Sequence, residues 1–294
     1  MLNFCRYFAR AIVLLRTDTF RSCFAAHLEE RFCTIHCSLQ KKEHFSTIPK
    51  PGTHVILRKI WAVYAVLLFI LSLAITVPIL LIQTLVSSEA QGLRRNIRFL
   101  HHWYSPFYML LCGIRVRTIG TEKIDPDAAY IIVANHSSSI DFIVNAIAFP
   151  GIFRFLAKVE LMKIPVFGGV VRRMCVTVDR RDGASRMRSV AELRRQLAQG
   201  WSILIYPEGS RNTTGAPLAR FYDGAFRIAL EAGVPIFVQT ITNIKSVSAT
   251  ASPLDLRPGV LQVAWDGPVL PEGKDVETLK NEVRALMLSR LNNV

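Results

Sequence analysis

No charged residue occurs between Lys59 and Glu89, and residues 61–82 stay apolar for long enough to cross about 30 Å of hydrocarbon as a helix. A helix apolar on every side over this length is rare in a small soluble core, so the segment is expected to enter a membrane. Arg58 and Lys59 flank one end, with Trp61 and Tyr64 just inside, where interfacial anchors belong. Pro78 marks its distal third as a place for a kink. Lys50, Arg58 and Lys59 on one side balance Arg94, Arg95 and Arg98 on the other, so the basic residues do not choose an orientation. Residues 96–114 then interleave Arg98, His101 and His102 with Phe99, Trp103, Tyr104, Phe107 and Tyr108. That mixture predicts a second helix lying among headgroups and interrupted at Pro106, so the pair forms a hairpin-like, monotopic anchor rather than two full crossings.

The chain carries 36 Lys+Arg against 22 Asp+Glu, a net charge of +14, and a mean hydropathy of +0.29. Such a balance calls for an anionic partner, and with this hydropathy phospholipid or a phosphorylated substrate fits as readily as nucleic acid. Residues 116–220 hold 15 basic and 9 acidic groups, whereas 221–294 hold 7 and 8, so the excess lies upstream of residue 221. No nucleic-acid module accompanies it, and the aromatics are spent on core and anchor. The six cysteines contain no C-x-x-C pair, which excludes a secreted disulfide framework. Cys33-Thr-Ile-His-Cys37 lacks a second ligand pair at finger spacing, so no metal site is expected. Residues 1–52 alternate Arg with Phe, Leu and Ala, but Asp18, Glu29 and Glu30 spoil a transit-peptide pattern, and they receive no role.

From residue 113 short β-rich runs alternate with amphipathic helical patterns. The strands are predicted at 114–119, 130–134, 153–157, 175–178, 202–206, 234–240 and 260–265, and the helices at 138–149, 184–199, 224–232 and 275–291. Runs such as Ile131-Ile-Val-Ala134 and Ile203-Leu-Ile-Tyr206 are apolar at every position, as in a sheet covered on both faces. The fold class is therefore α/β: a mixed or parallel central sheet flanked by helices and preceded by the hydrophobic anchor. The expected divisions are an extension over 1–52, anchor helices over 53–112 and a domain over 113–294, with 47–53 as linker.

Polar residues at strand ends carry the chemistry. Ala134-Asn-His-Ser-Ser-Ser-Ile-Asp141 follows a buried strand and opens a helix expected to be capped by a serine among 137–139. On one helix, five steps would turn His136 and Asp141 about 140° apart, so they meet only if His136 lies in the loop and Asp141 in the first turn. An Asp on one imidazole nitrogen fixes the tautomer and frees the other nitrogen to take a proton from a hydroxyl. A capping Asp beside a structural His gives the same spacing. Tyr206-Pro-Glu-Gly-Ser-Arg211 also follows a buried strand. There Gly209 permits a tight turn, Arg211 offers a phosphate fork, and Glu208 can orient a hydroxyl, hold Arg211 or form a surface ion pair with it. No G-x-S-x-G occurs, so Ser210 is expected to form hydrogen bonds rather than act as a nucleophile. Lys158, Arg180 and Arg181, each near the end of a strand, are candidate phosphate neutralisers or plain surface charges.

In this order, Asn135-His136-x-x-x-x-Asp141, the Lys158 block ending at Val178-Asp-Arg180, Pro207-Glu-Gly-Ser-Arg211 and Val234-Pro235 resemble the glycerolipid acyltransferases. Among these the sequence is most similar to the 1-acyl-sn-glycerol-3-phosphate (lysophosphatidic acid) acyltransferases, over about residues 90–291. The resemblance implies direct transfer of a fatty acyl group to a lysophospholipid hydroxyl, giving phosphatidic acid, with neither metal nor acyl-enzyme. The donor would be acyl-coenzyme A or acyl carrier protein, a substrate or partner rather than a bound cofactor. By similarity His136 is the general base and Asp141 its orienting partner; Arg180, Glu208, Gly209, Ser210 and Arg211 bind the glycerol phosphate, with Lys158 beside it. It further implies a membrane enzyme, integral or monotopic, contacting membrane phospholipids with its site at the cytosolic face. Ser137, Val176-Thr177-Val178 and Asn212 depart from the family's commonest residues, which leaves other lysophospholipids or glycerol 3-phosphate open as acceptor. A catalytically silent lipid-binding protein is the alternative of another class.

Overall fold

The computed structural model describes residues 51–85, 89–163, 167–178, 183–248 and 256–292. The extension over 1–50, with its Cys33–Cys37 cluster, lies outside the described residues. Helix α1 (Pro51–Leu85) runs unbroken through Pro78 and includes the expected linker's last three residues in its first turn. It contains a segment, Ile56–Gln83, that is long and apolar enough to cross a membrane. Helix α2 (Glu89–Phe99), a π-turn (Leu100–Tyr104) and helix α3 (Ser105–Leu111) follow as one continuous rod. Pro106 does not interrupt it: the residue falls directly after the π-turn, where the ladder has already shifted and the Ser105 N–H bonds to the Leu100 carbonyl.

The rod folds back along α1. Trp61 Nε1 donates to the Cys112 carbonyl at 3.2 Å, Tyr108 Oη to Ala65 at 3.1 Å, and Asn96 Nδ2 to Leu80 at 3.2 Å, while the Ser72 and Tyr104 hydroxyls meet at 2.9 Å. Partners thus move backward along the rod as α1 advances, so the two form an antiparallel hairpin. Ala62 and Ala65 let the rod approach closely and are buried, whereas Ile56, Ile60, Leu67, Ile70, Ile75 and Ile82 on the other side of α1 are exposed. His101, expected among headgroups, is instead buried against the Phe153 ring at 4.5 Å.

Seven strands follow: β1 (Ile114–Ile119), β2 (Ile131–Ala134), β3 (Phe153–Lys158), β4 (Val176–Val178), β5 (Ser202–Ile205), β6 (Ile236–Ile241) and β7 (Gly259–Val269). They form one sheet in the order β1-β7-β6-β2-β5-β3-β4. Strands β2 to β6 run parallel, and β7 turns the direction by pairing antiparallel with β6 and parallel with β1. The helices between them are α4 (Asp141–Ala148), α5 (Phe167–Met174), α6 (Gly183–Ala198), α7 (Gly224–Ala232) and α8 (Val276–Asn292). Helix α5 is not legible in the sequence, since its opening Phe-Gly-Gly contains the weakest helix formers short of proline.

Side-chain alternation splits the core into two layers. Ile132, Ala134, Leu204 and Phe237 point to a layer shared with α4 and with Ala62, Ala65, Tyr108 and Met109 of the hairpin. Ile131, Val133, Ile203, Ile205, Ile236 and Val238 point to a layer shared with α6, α7 and α8. Both faces being covered explains why these strands are apolar at every position, and the hairpin is part of the same core as the sheet. Each fully buried large aliphatic or aromatic side chain contributes about 1.5–3 kcal/mol toward this packing.

Candidate active site

Adjacent strands β2 and β5 send their chains to opposite faces of the sheet, β2 to α4 in one layer and β5 to α7 in the other. Such divergence opens a crevice at the carboxyl ends of the strands, where open α/β sheets hold their ligands. His136 follows β2 and residues 206–212 follow β5, so both sequence-predicted constellations line this crevice.

Asn135 starts the construction. Its buried side-chain amide donates to the Ile241 carbonyl at 3.0 Å and accepts from the Ile241 N–H at 2.9 Å, continuing the β2–β6 ladder by one rung after the backbone has left it. The next residue, His136, therefore leaves the sheet in a fixed direction. Asp141 is the first residue of α4 and His136 sits in the preceding loop, the one arrangement that lets them meet. His136 Nδ1 lies 2.9 Å from Asp141 Oδ2, and the same oxygen accepts from the N–H groups of Ser137 at 2.7 Å and Ser138 at 2.8 Å. No serine side chain caps α4, because Asp141 itself gathers the loop's donors. Asp141 is 1% exposed and the His136 side chain 22%. An oxygen that already accepts from two backbone N–H groups is placed to accept a third from Nδ1, an arrangement that favours the Nδ1–H tautomer of a neutral imidazole.

The second loop is fastened to the first. Glu208, 4% exposed, accepts from the His136 N–H on Oε1 and from the Ala219 N–H on Oε2, both at 2.8 Å. Burial raises its pKa, against the downward pull of these two bonds. The Asn212 N–H returns a 2.7 Å bond to the His136 carbonyl. Gly209 adopts φ +70°, a conformation costly for any residue with a Cβ, and so closes the turn. Glu208 makes no ion pair with Arg211, and each of its two oxygens accepts from loop backbone, so it clamps the loop that carries His136. Ser210 and Arg211 are exposed at the tip of the turn, and Arg211 has no ion-pair partner among the described residues. Lys158 ends β3, next to β5 in the sheet, and its backbone pairs with Val178; its side chain and the whole of Arg180 lie outside the described residues.

An acyltransferase family model matches residues 115–242, which hold every element of the crevice. Residues 115–242 are thus similar to the acyltransferase family. The chain is 29% identical to a 1-acyl-sn-glycerol-3-phosphate acyltransferase of Chlamydomonas reinhardtii over 249 residues, covering 82% of this chain and 72% of that one. It is 32% identical to 1-acyl-sn-glycerol-3-phosphate acyltransferase alpha of Mus musculus over 190 residues, 61% of this chain and 64% of the mouse protein, just under two thirds of that relative's length. The crystal structure of the 1-acyl-sn-glycerophosphate (LPA) acyltransferase PlsC from Thermotoga maritima has the same fold, with a TM-score of 0.69 at 21% identity over 81% of this chain and 97% of that one.

Two residues of this site escaped the sequence reading. The Tyr206 ring lies nearly parallel to the His136 imidazole, 4.1 Å between centroids and 16° between planes. Its hydroxyl accepts a 2.8 Å bond from Nδ2 of Asn145, which is fully buried one turn beyond Asp141 on α4. The sequence pattern puts Tyr206 at the end of the strand predicted at 202–206 and Asn145 inside the helix predicted at 138–149, with no role marked for either ring or amide. A polar residue four positions after Asp141 was the available signal.

Proposed function

We propose that the protein transfers a fatty acyl group from an acyl thioester to the sn-2 hydroxyl of lysophosphatidic acid, giving phosphatidic acid for phospholipid synthesis. The observation that carries this reading is the His136–Asp141 pair, in which a buried carboxylate 2.9 Å from Nδ1 leaves Nε2 as the nitrogen available to an acceptor hydroxyl. Nε2 removes the proton from the acceptor hydroxyl, and the oxygen attacks the thioester carbonyl carbon. The tetrahedral intermediate then expels the thiolate, which takes the proton back from the imidazolium, so no group stays on the protein. Asp141 stabilises the transient cation. Arg211, exposed at the tip of the 206–212 turn and without an ion-pair partner among the described residues, is suited to the acceptor phosphate, with Lys158 and Arg180 as further neutralising groups.

Membrane association follows from the same unit. The apolar outer face of α1 continues in Trp103, Phe107, Leu110 and Leu111 of the rod, all exposed, and a contiguous surface of this kind is stable against lipid rather than water. Phe69 of α1 meets the ring of Phe142, the residue after Asp141, at 6.5 Å, so the lipid-facing hairpin touches the helix that orients the base.

The test is acyl transfer by the full chain in detergent micelles, wild type beside His136→Ala, with acyl-coenzyme A and acyl carrier protein as donors in parallel and product followed by mass. Lysophosphatidate, glycerol 3-phosphate and lysophosphatidylcholine are offered separately. Phosphatidate from wild type alone is the expected result. Product from another acceptor overturns the substrate, and product undiminished in His136→Ala overturns the base. Should neither donor class, coenzyme A or carrier protein, yield any product, acyl transfer itself is refuted.

A further inference from the structure

We propose that Tyr206 and Asn145 are positioning residues for His136, fixing the imidazole on the axis that Asp141 leaves free. The inference rests on His136 acting as the base. The contact from Asp141 lies in the ring plane, on Nδ1, and resists sliding of the imidazole. A single bond to one ring atom does not stop the ring from rocking about it, and rocking swings Nε2 away from an acceptor hydroxyl. The Tyr206 ring, stacked at 4.1 Å and 16°, closes that freedom from one face. Tyr206 in turn cannot swivel, since Asn145 Nδ2 holds its hydroxyl at 2.8 Å. Asp141 and Asn145 are one helical turn apart on α4, so a single rigid element grips the imidazole by its edge and, through the phenol, by its face.

The arrangement also has an electronic consequence. The π-face of an aromatic ring attracts a cation, so the stack favours the imidazolium that forms when Nε2 takes the proton. Three groups of this site face the imidazole: the Asp141 carboxylate, the Glu208 carboxylate that accepts from the His136 backbone, and the Tyr206 phenol. Burial and the Asp141 charge keep that phenol protonated far above its ordinary range, so it remains a neutral stacking partner. Tyrosine suits the position because its ring supplies the stack while its hydroxyl supplies the tether.

Kinetics of Tyr206→Leu, Tyr206→Phe and Asn145→Leu, with histidine ¹⁵N spectra of the labelled full chain, test the proposal. The His136 signal is assigned through His136→Gln. Tyr206→Leu is expected to lower kcat about 10–50-fold at nearly constant acceptor KM, the size of an aromatic contact to a forming cation. It also moves the acid limb of the kcat profile toward lower pH, because the protonated ring loses a favourable neighbour. Tyr206→Phe keeps the stack and recovers most of this rate, losing only about 3–5-fold, and Asn145→Leu matches it; combining the last two adds nothing further, since both cut one tether. Wild-type kcat and an unmoved pH limb in Tyr206→Leu overturn the proposal, as does equal damage in Tyr206→Phe. The spectra separate this result from the functional reading. If no acceptor is turned over but Tyr206→Leu shifts the His136 titration and mixes its tautomers, acyl transfer fails and the positioning role stands. If the titration and tautomer are unchanged, the positioning role fails whatever the turnover.

Discussion

Replacing Glu208 by Gln keeps the shape of the side chain and removes one of the two carboxylate acceptors that join the site loops. The amide oxygen can still accept from either the His136 or the Ala219 N–H, but its NH₂ then faces the other as donor to donor. One charge-assisted bond is lost and a buried amide is left unpaired, a cost of about 1.5–3 kcal/mol. For a folded unit of this size that lowers Tm by roughly 3–10 °C. The loss reaches catalysis through geometry, because His136 is held at its own backbone nitrogen by this carboxylate. A shift approaching 1 Å at the base costs up to about 100-fold in rate, so kcat is expected to fall about 10–100-fold while the acceptor KM changes little. The assay pairs thermal unfolding in fixed detergent with initial rates at saturating acyl donor. A Glu208→Gln protein with unchanged Tm and kcat and a raised acceptor KM would refute the clamp and return Glu208 to the substrate-binding role that sequence suggested.

Further outcomes follow from the same geometry. Asp141→Asn retains acceptors for the Ser137 and Ser138 N–H groups but no longer favours the Nδ1–H tautomer, so kcat is expected to fall about 10²–10⁴-fold with acceptor KM within about threefold; a large KM change at normal kcat contradicts this. Burial, helped by neighbouring His102, lowers the His101 pKa from 6.5 to about 3. A histidine depressed on folding stabilises above its unfolded pKa and loses that contribution as pH falls through the interval below 6.5, about 2 kcal/mol by pH 5. The drop in Tm between pH 7.5 and 5 should therefore be smaller in His101→Phe than in wild type, and equal drops count against it. Gly120 holds φ +81° with the Trp265 carbonyl oxygen where a Cβ would sit, so Gly120→Ala should destabilise by at least about 2 kcal/mol in the same melt. A Tm within 1 °C of wild type shows that this contact gives way freely.

The apolar periodicity of residues 113–294 was sufficient to place the strands and every α-helix but α5, since a strand buried on both faces is apolar throughout, as β2 and β5 are in their central runs. The charge-free stretch after Lys59 likewise announced a long helix, and the five-residue spacing of His136 and Asp141 already required a loop followed by a first helical turn. Order in the sheet was beyond the sequence, because β2 meets β5 and β6 only through contacts about 70 to 100 positions apart along the chain. That order alone creates the crevice and brings Glu208 and Tyr206 to His136. The continuity of the rod through Pro106 depended on the π-turn before it, which proline does not announce. Sequence by itself determined which side chains are able to exchange a proton or meet a phosphate, because those properties reside in the residue types. Tertiary structure alone decided that Glu208 clamps, Tyr206 stacks and the hairpin shares the catalytic core, because each role is defined by a partner distant in the chain.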